Sequence, residues 1–185
     1  MNCESRPPNG LWKKERNASA KSAHGFCRWR ETGMMILLLI AGSEWPQGAF
    51  ATAQSPFAIC IFGKDPFGNS LDEALASKTI ADRPIVIQRT KDKMELRQCQ
   101  MVFVSHSEAE RVADVVAQLE GTNVLLVGES EGFAESGGMI EFTLEQGRVR
   151  FSINPDAAEH ANLRLSSKLL ALAKIVHGAA HPRGG

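Results

Sequence analysis

Between residues 56 and 153 the apolar positions fall into short dense runs separated by Gly, Pro, Asn and Ser. Phe57-Ala58-Ile59-Cys60-Ile61-Phe62 follows Pro56, stops at Gly63 and is almost unbroken. A continuous run of that length predicts a strand buried on both faces. Pro84-Ile85-Val86-Ile87-Gln88 predicts a second strand, residues 100–105 a third with Cys99 at its entrance, and residues 123–128 a fourth. Ser70-Leu71-Asp72-Glu73 and Ser107-Glu108-Ala109-Glu110 have the spacing of capping boxes, in which Ser and Glu satisfy each other's backbone N–H groups at a helix start. The first helix is expected to run to about Ser77. The second carries Val112, Val115, Val116 and Leu119 at helical spacing and stops at Gly121. Strand, helix, strand, strand, helix, strand predicts an α/β layered domain with a mainly parallel sheet and flanking helices.

The last third changes period. Residues 139–143 and 148–153 alternate apolar with polar around Gln146-Gly147, which predicts an antiparallel hairpin with one wetter face. Asn154-Pro155 then opens a helix, with Asn as N-cap and Pro in the first turn. A final helix is expected from about Leu165 to Val176, with Leu169, Leu170, Leu172, Ala173 and Val176 on its apolar face. Residues 179–185 read as a tail.

The front of the chain differs in composition. Residues 1–33 contain Pro7-Pro8, Asn9-Gly10, seven basic and three acidic side chains and little periodicity, so disorder is expected there. Met34 to Gly42 is apolar but far short of the roughly 20 residues that span a bilayer. It suits the core of a signal peptide, with Arg28 and Arg30 ahead of it and the A-x-A sites 49–51 and 51–53 behind. A buried helix would have the same composition. The expected organisation is a leader over residues 1–42 and one domain over 43–178. Across the whole chain 21 Lys and Arg balance 21 Asp and Glu. No basic stripe remains for nucleic acid, whose binding requires replacing phosphate counterions.

Candidate chemistry is sparse. Ser166-Ser167-Lys168 places its Ser and Lys on adjacent positions, about 100° apart on a helix, whereas catalytic Ser–Lys pairs share a face one turn apart. The Gly-rich segment 128–138 lacks both phosphate-binding patterns and carries glutamates that repel phosphate. Gly137-Gly138 is expected to give the backbone freedom before the hairpin. Gly63-Lys64-Asp65-Pro66-Phe67-Gly68 and Ser105-His106-Ser107-Glu108 follow the first and third strands, so both fall on the C-terminal edge of the sheet, where α/β proteins commonly hold ligands. His106 has no evident acid or nucleophile partner, and the expectation is a binding edge with no catalytic residue, no cofactor and no metal. The four cysteines form no metal-ligand spacing. Cys60 and Cys99 are either reduced core thiols or, in an oxidising compartment, a disulfide.

Taken together, several segments resemble the YfiR family. They are Glu44-Trp45-Pro46, Phe50, Cys60 with Gly63, Asp65 through Gly68, Cys99, Ser105 through Glu108, and Phe133 with Gly137 through Ile140 and Phe142. They continue with Arg148-Val149, Phe151, Ile153-Asn154, Ala157-Ala158, Leu163, Leu165 through Ser167 and Leu169-Leu170, so the match spans roughly residues 43–176. The resemblance implies export to the periplasm and a structural disulfide between Cys60 and Cys99. It further implies a homodimer that binds the periplasmic sensor part of a membrane-anchored GGDEF diguanylate cyclase and keeps it inactive, with consequences for biofilm. A periplasmic small-molecule sensor acting without cyclase contact is the alternative. The binding surface is then sought among Asp65, Pro66, Phe67, Gly68, Ser105, His106, Glu108, Gly137 and Gly138. Two departures stand out. Met34–Ala41 replaces the helix of aromatic and small residues that normally precedes Trp-Pro, and no Cys follows Cys99 to form the second pair found in some relatives.

Overall fold

The computed structural model describes residues 35–146 and 148–178. The disorder expected of residues 1–33 and the tail over 179–185 lie outside the described residues. The expected architecture is present: a curled, mostly parallel eight-stranded sheet with helices against it. The elements are α1 (35–41), β1 (Ser43–Glu44), β2 (Phe57–Phe62), α2 (Asn69–Leu75), β3 (Thr79–Ile80), β4 (Arg83–Thr90), β5 (Met101–Val104) and α3 (Val112–Leu119). They continue with β6 (Leu125–Gly128), β7 (Ile140–Glu145), β8 (Arg148–Ile153), α4 (Pro155–His160), β9 (Arg164–Leu165), α5 (Ser167–Leu170) and β10 (Lys174–Ile175). The sheet order is β10-β8-β7-β6-β5-β2-β4-β3.

Every residue of β2 is buried, as its unbroken apolar run requires. It pairs in parallel with β4 on one side and β5 on the other. The chain thus leaves β2 in two directions: through α2 to β4, and later through β5 and α3 to β6. Because such crossovers are right-handed, α2 and α3 cover opposite faces. Leu71 and Leu75 bury the inner side of α2, and Val112, Val115 and Leu119 that of α3. The Cys60–Cys99 disulfide is formed, with Cα atoms 6.0 Å apart, and ties the middle of β2 to the entrance of β5. Both cysteines are buried.

The β7–β8 hairpin keeps the alternation read from its sequence. Its register pairs Ile140 with Ile153, Phe142 with Phe151 and Leu144 with Val149, so all six apolar side chains share one face. Gln146 takes a positive φ of 50° in the turn. Asn154 caps α4 as expected, accepting from the Ala157 N–H at 3.1 Å, and its side-chain amide also donates to the Ala134 carbonyl at 2.8 Å.

Three expectations are corrected. The N-cap of α2 is Gly68, not Ser70. Asp65 has already taken the Phe67 and Gly68 N–H groups, so the helix begins earlier. The segment after β5 is capped by Ser105, not Ser107, and runs as a 3-10 turn over His106–Arg111 before α3. The final helix is four residues long. Beyond it the chain turns back to pair β10 with β8, whose edge offers the Ile153 carbonyl to the Val176 N–H at 2.9 Å. Leu172 is consequently exposed.

For residues 35–41 the sequence left a leader core and a buried helix open. They form α1, and Ile36, Leu39 and Ile40 are buried in the core at the i, i+3, i+4 spacing of one helix face. The segment continues into β1, which pairs with β9, and the Gly42 carbonyl accepts from the Ser166 N–H at 2.8 Å. Trp45 packs edge-on to Phe57 with centroids 4.9 Å apart and donates to the Gln100 carbonyl at 3.3 Å.

The disulfide closes a span of 39 residues. By loop-closure entropy, Cys60→Ser is expected to lower unfolding free energy by about 3–4 kcal/mol in urea denaturation, and Cys99→Ser by the same amount. Asn154→Ala removes a cap and orphans a buried carbonyl. It is expected to cost about 2 kcal/mol in the same measurement.

Candidate functional site

The chain reverses direction across the sheet between β2 and β5, and such a switch point opens a crevice at the C-terminal ends of the two strands. The loops there are Gly63–Gly68 and Ser105–Glu108, so the two clusters expected on one edge are brought together. Their contact is intimate. The Lys64 N–H donates to the Ser107 hydroxyl at 2.9 Å. Gly63 has φ 97°, and a Cβ on it would stand 2.5 Å from Glu108 Cγ, so only glycine permits this approach. Phe67 is buried edge-on against Phe103 of β5, with centroids 4.7 Å apart.

The charged groups that rim this edge are engaged by one another. Arg89, at the end of β4, donates from Nε to Asp65 at 2.6 Å. Its terminal nitrogens reach both oxygens of Asp72 and, at 3.2 Å, the Gly68 carbonyl. These hydrogen bonds, Asp72's first and Asp65's second, hold the guanidinium still higher than its ordinary range. Glu129, following β6, accepts from the His106 N–H at 3.1 Å. A carboxylate of the chain itself therefore sits where the start of the 3-10 segment would attract an anion. Glu108 pairs with Arg111 at 2.8 Å, and Arg111 lies 4.9 Å from the Phe62 ring centroid.

No nucleophile–base pair is assembled from the residues considered for catalysis. The Ser105 oxygen accepts from the Ser107 N–H at 3.4 Å, and the Ser166 oxygen caps α5. His106, Ser167 and Lys168 are exposed. Among the described residues no group of three His, Cys, Asp or Glu side chains could hold a metal ion.

Gly137 and Gly138 stand apart from the two loops. Gly137 has φ 100°, matching the freedom expected of it. Gly138 matters for space instead. Together with Gly128 it makes room for the buried Phe133 ring, which a Cβ at either position would meet at 2.5 Å or less. The loop between them is fixed by the buried Glu141 carboxylate, which accepts from the Gly132 and Ala134 N–H groups at 3.3 and 3.1 Å. A groove of about 510 Å3 lies elsewhere, between Glu44, Trp45 and Pro46 on one side and Glu159, Leu163 and Arg164 on the other.

Sequence reasoning passed over Arg89 and Glu129. The available signal was an arginine near the C-terminal end of β4, which parallel pairing places on the same edge as the Asp65 loop. Arg89 is partly exposed, so Arg89→Met is expected to cost no more than about 1 kcal/mol, with the difference shrinking in high salt. Urea denaturation at two ionic strengths measures both.

The fold recurs in solved structures of low identity. An ABC domain from Streptococcus pneumonia, solved in complex with L-Trp, aligns with TM-score 0.53 and 10% identity over 80% of this chain and 60% of that one. A conserved domain protein from Vibrio cholerae aligns with TM-score 0.54 and 9% identity over 80% and 59%. The chain thus spans about three fifths of the length of these structures, and at such identities the likeness concerns the fold alone. Among the described residues no helix is long and apolar enough to cross a membrane. A family model described as YfiR/HmsC-like matches residues 33–174, a range that takes in α1, both edge loops, the disulfide and the hairpin, and the chain belongs to that family.

Proposed function

We infer that this protein is an exported, non-catalytic regulator. In this reading it works as a homodimer in the periplasm, binds the periplasmic part of a membrane-anchored diguanylate cyclase, and holds the enzyme inactive, so that cyclic-di-GMP stays low. The observation that carries the inference is membership of the YfiR/HmsC-like family over residues 33–174. The buried disulfide agrees with it, because such bonds persist in oxidising compartments. The switch-point edge favours contact with a protein over capture of a solute. A solute would have to displace Arg89 from Asp65 and Asp72, or Glu129 from the His106 N–H. A protein surface can instead meet the edge as it stands.

Exposed apolar side chains next to this edge supply the adhesive part of such a contact. Pairing of β7 with β6 begins at Val127 and Gly128, the last residues of β6, so the hairpin projects past the edge. Its apolar face ends in the half-exposed Leu144, opposite Val149. Anchors of this kind, rimmed by charge, dominate most protein contacts.

The test is cyclic-di-GMP measured in cells with and without the gene, complemented by wild type, Cys60→Ser or Leu144→Arg. Deletion is expected to raise the level and wild type to restore it. Leu144→Arg should restore it poorly although the protein is folded and abundant, and Cys60→Ser poorly because less folded protein accumulates. An unchanged level on deletion contradicts the proposed role.

A further inference from the structure

The long open edge of the sheet is β4. Two-residue β3 pairs only with Arg83 and Pro84, and among the described residues no strand lies along Ile85 to Thr90 on that side. The phase of the ladder says which backbone groups are left open. The Gly63 N–H donates to the Thr90 carbonyl, continuing the parallel pairing of β2 with β4. Alternate residues of a parallel strand turn both backbone groups to the same neighbour. Val86, Gln88 and Thr90 therefore face β2, and Ile85, Ile87 and Arg89 turn N–H and C=O outward. Their neighbours across the ladder, Ile59 and Ile61, are completely buried, whereas Ile85, Val86 and Ile87 are only partly so.

Natural proteins protect such an edge with free charges, bulges or cover. The arginines of β4 give no such protection, because both are held within the chain. Arg83 donates to the Thr52 and Ser55 carbonyls and stacks on Phe50, with its guanidinium carbon 4.0 Å from the ring centroid. Arg89 is held by Asp65 and Asp72.

We propose that β4 is the dimer interface: two copies pair their β4 strands antiparallel about a two-fold axis at Ile87, joining the two sheets into one. A two-fold axis makes a strand its own complement. Ile87 meets its counterpart and Ile85 meets Arg89 of the second copy, so the outward donors and acceptors face one another in equal number. Neither arginine brings an unpaired like charge to the contact, which favours a second copy over a charged partner strand. The proposal rests on the homodimer reading above, yet it is separable from cyclase binding, because self-association is measured on the purified protein alone.

Sedimentation over a range of concentrations tests it. A dimer is expected, and Ile87→Lys should weaken association by about tenfold or more in protein that circular dichroism shows to be folded. Directly opposed residues in a hydrogen-bonded antiparallel pair have Cα atoms about 5.5 Å apart, within disulfide reach. In a Cys3→Ser/Cys27→Ser chain, Ile87→Cys alone and the double variant Ile85→Cys/Arg89→Cys should therefore cross-link under oxidation, whereas a single cysteine at 85 or at 89, about 13 Å from its own counterpart, should not. A monomer at every concentration overturns the proposal. So does a dimer that survives Ile87→Lys and cross-links neither through Ile87→Cys nor through Ile85→Cys/Arg89→Cys.

Discussion

A strand without a polar side, β2, occupies the middle of the sheet, and its burial constrains everything around it. Six residues with no wet face need cover above and below and a partner strand on each edge. The chain meets that demand by travelling to both sides of β2 in turn, which creates the strand reversal and, with it, the crevice at the strand ends. The Cys60–Cys99 bond joins the strand before the reversal to the strand after it. It closes the one long excursion, through α2, β3 and β4, that must return before β5 can add. The folded sheet and the linkage thus support the same topology.

The crevice is then filled from within. Asp65 and Asp72 reach Arg89 from one side, Glu129 reaches the His106 N–H from the other, and the absence of a side chain at Gly63 lets the two loops meet. An edge built this way presents a fixed surface with paired charges and a protruding apolar hairpin. Such a surface suits the proposed regulator, which acts by contact. The N-terminal helix belongs to the same framework, since Ile36, Leu39 and Ile40 complete the core and β1 clasps β9.

The sheet was legible because burial on both faces leaves an unbroken apolar run, and the hairpin because one wet face leaves alternation. Both signals depend only on local exposure. The corrected elements turned on competition between distant groups. Ser70 and Ser107 have the right spacing for caps, but Asp65 and Ser105 reached the free N–H groups first. Leu169 to Val176 has helical spacing, but the open edge of β8 offered hydrogen bonds that the sequence does not reveal. Residues 35–41 have the same composition as a leader core, and only their packing identifies them as α1. At the candidate site Asp65 and Ser105 lie on one edge because strand direction sets that, and strand direction is readable from the sequence. Arg89 was invisible as a site residue, because its role exists only once β4 lies beside β2.

The proposed inhibition is measured most directly as the activity of a membrane-anchored diguanylate cyclase in GTP-loaded membrane vesicles whose periplasmic face is accessible, with purified protein added. Cyclic-di-GMP synthesis is expected to fall as folded protein is added, with the effect saturating near stoichiometric occupancy, while reduced and unfolded protein has no effect. Undiminished synthesis with the folded protein in excess would contradict it.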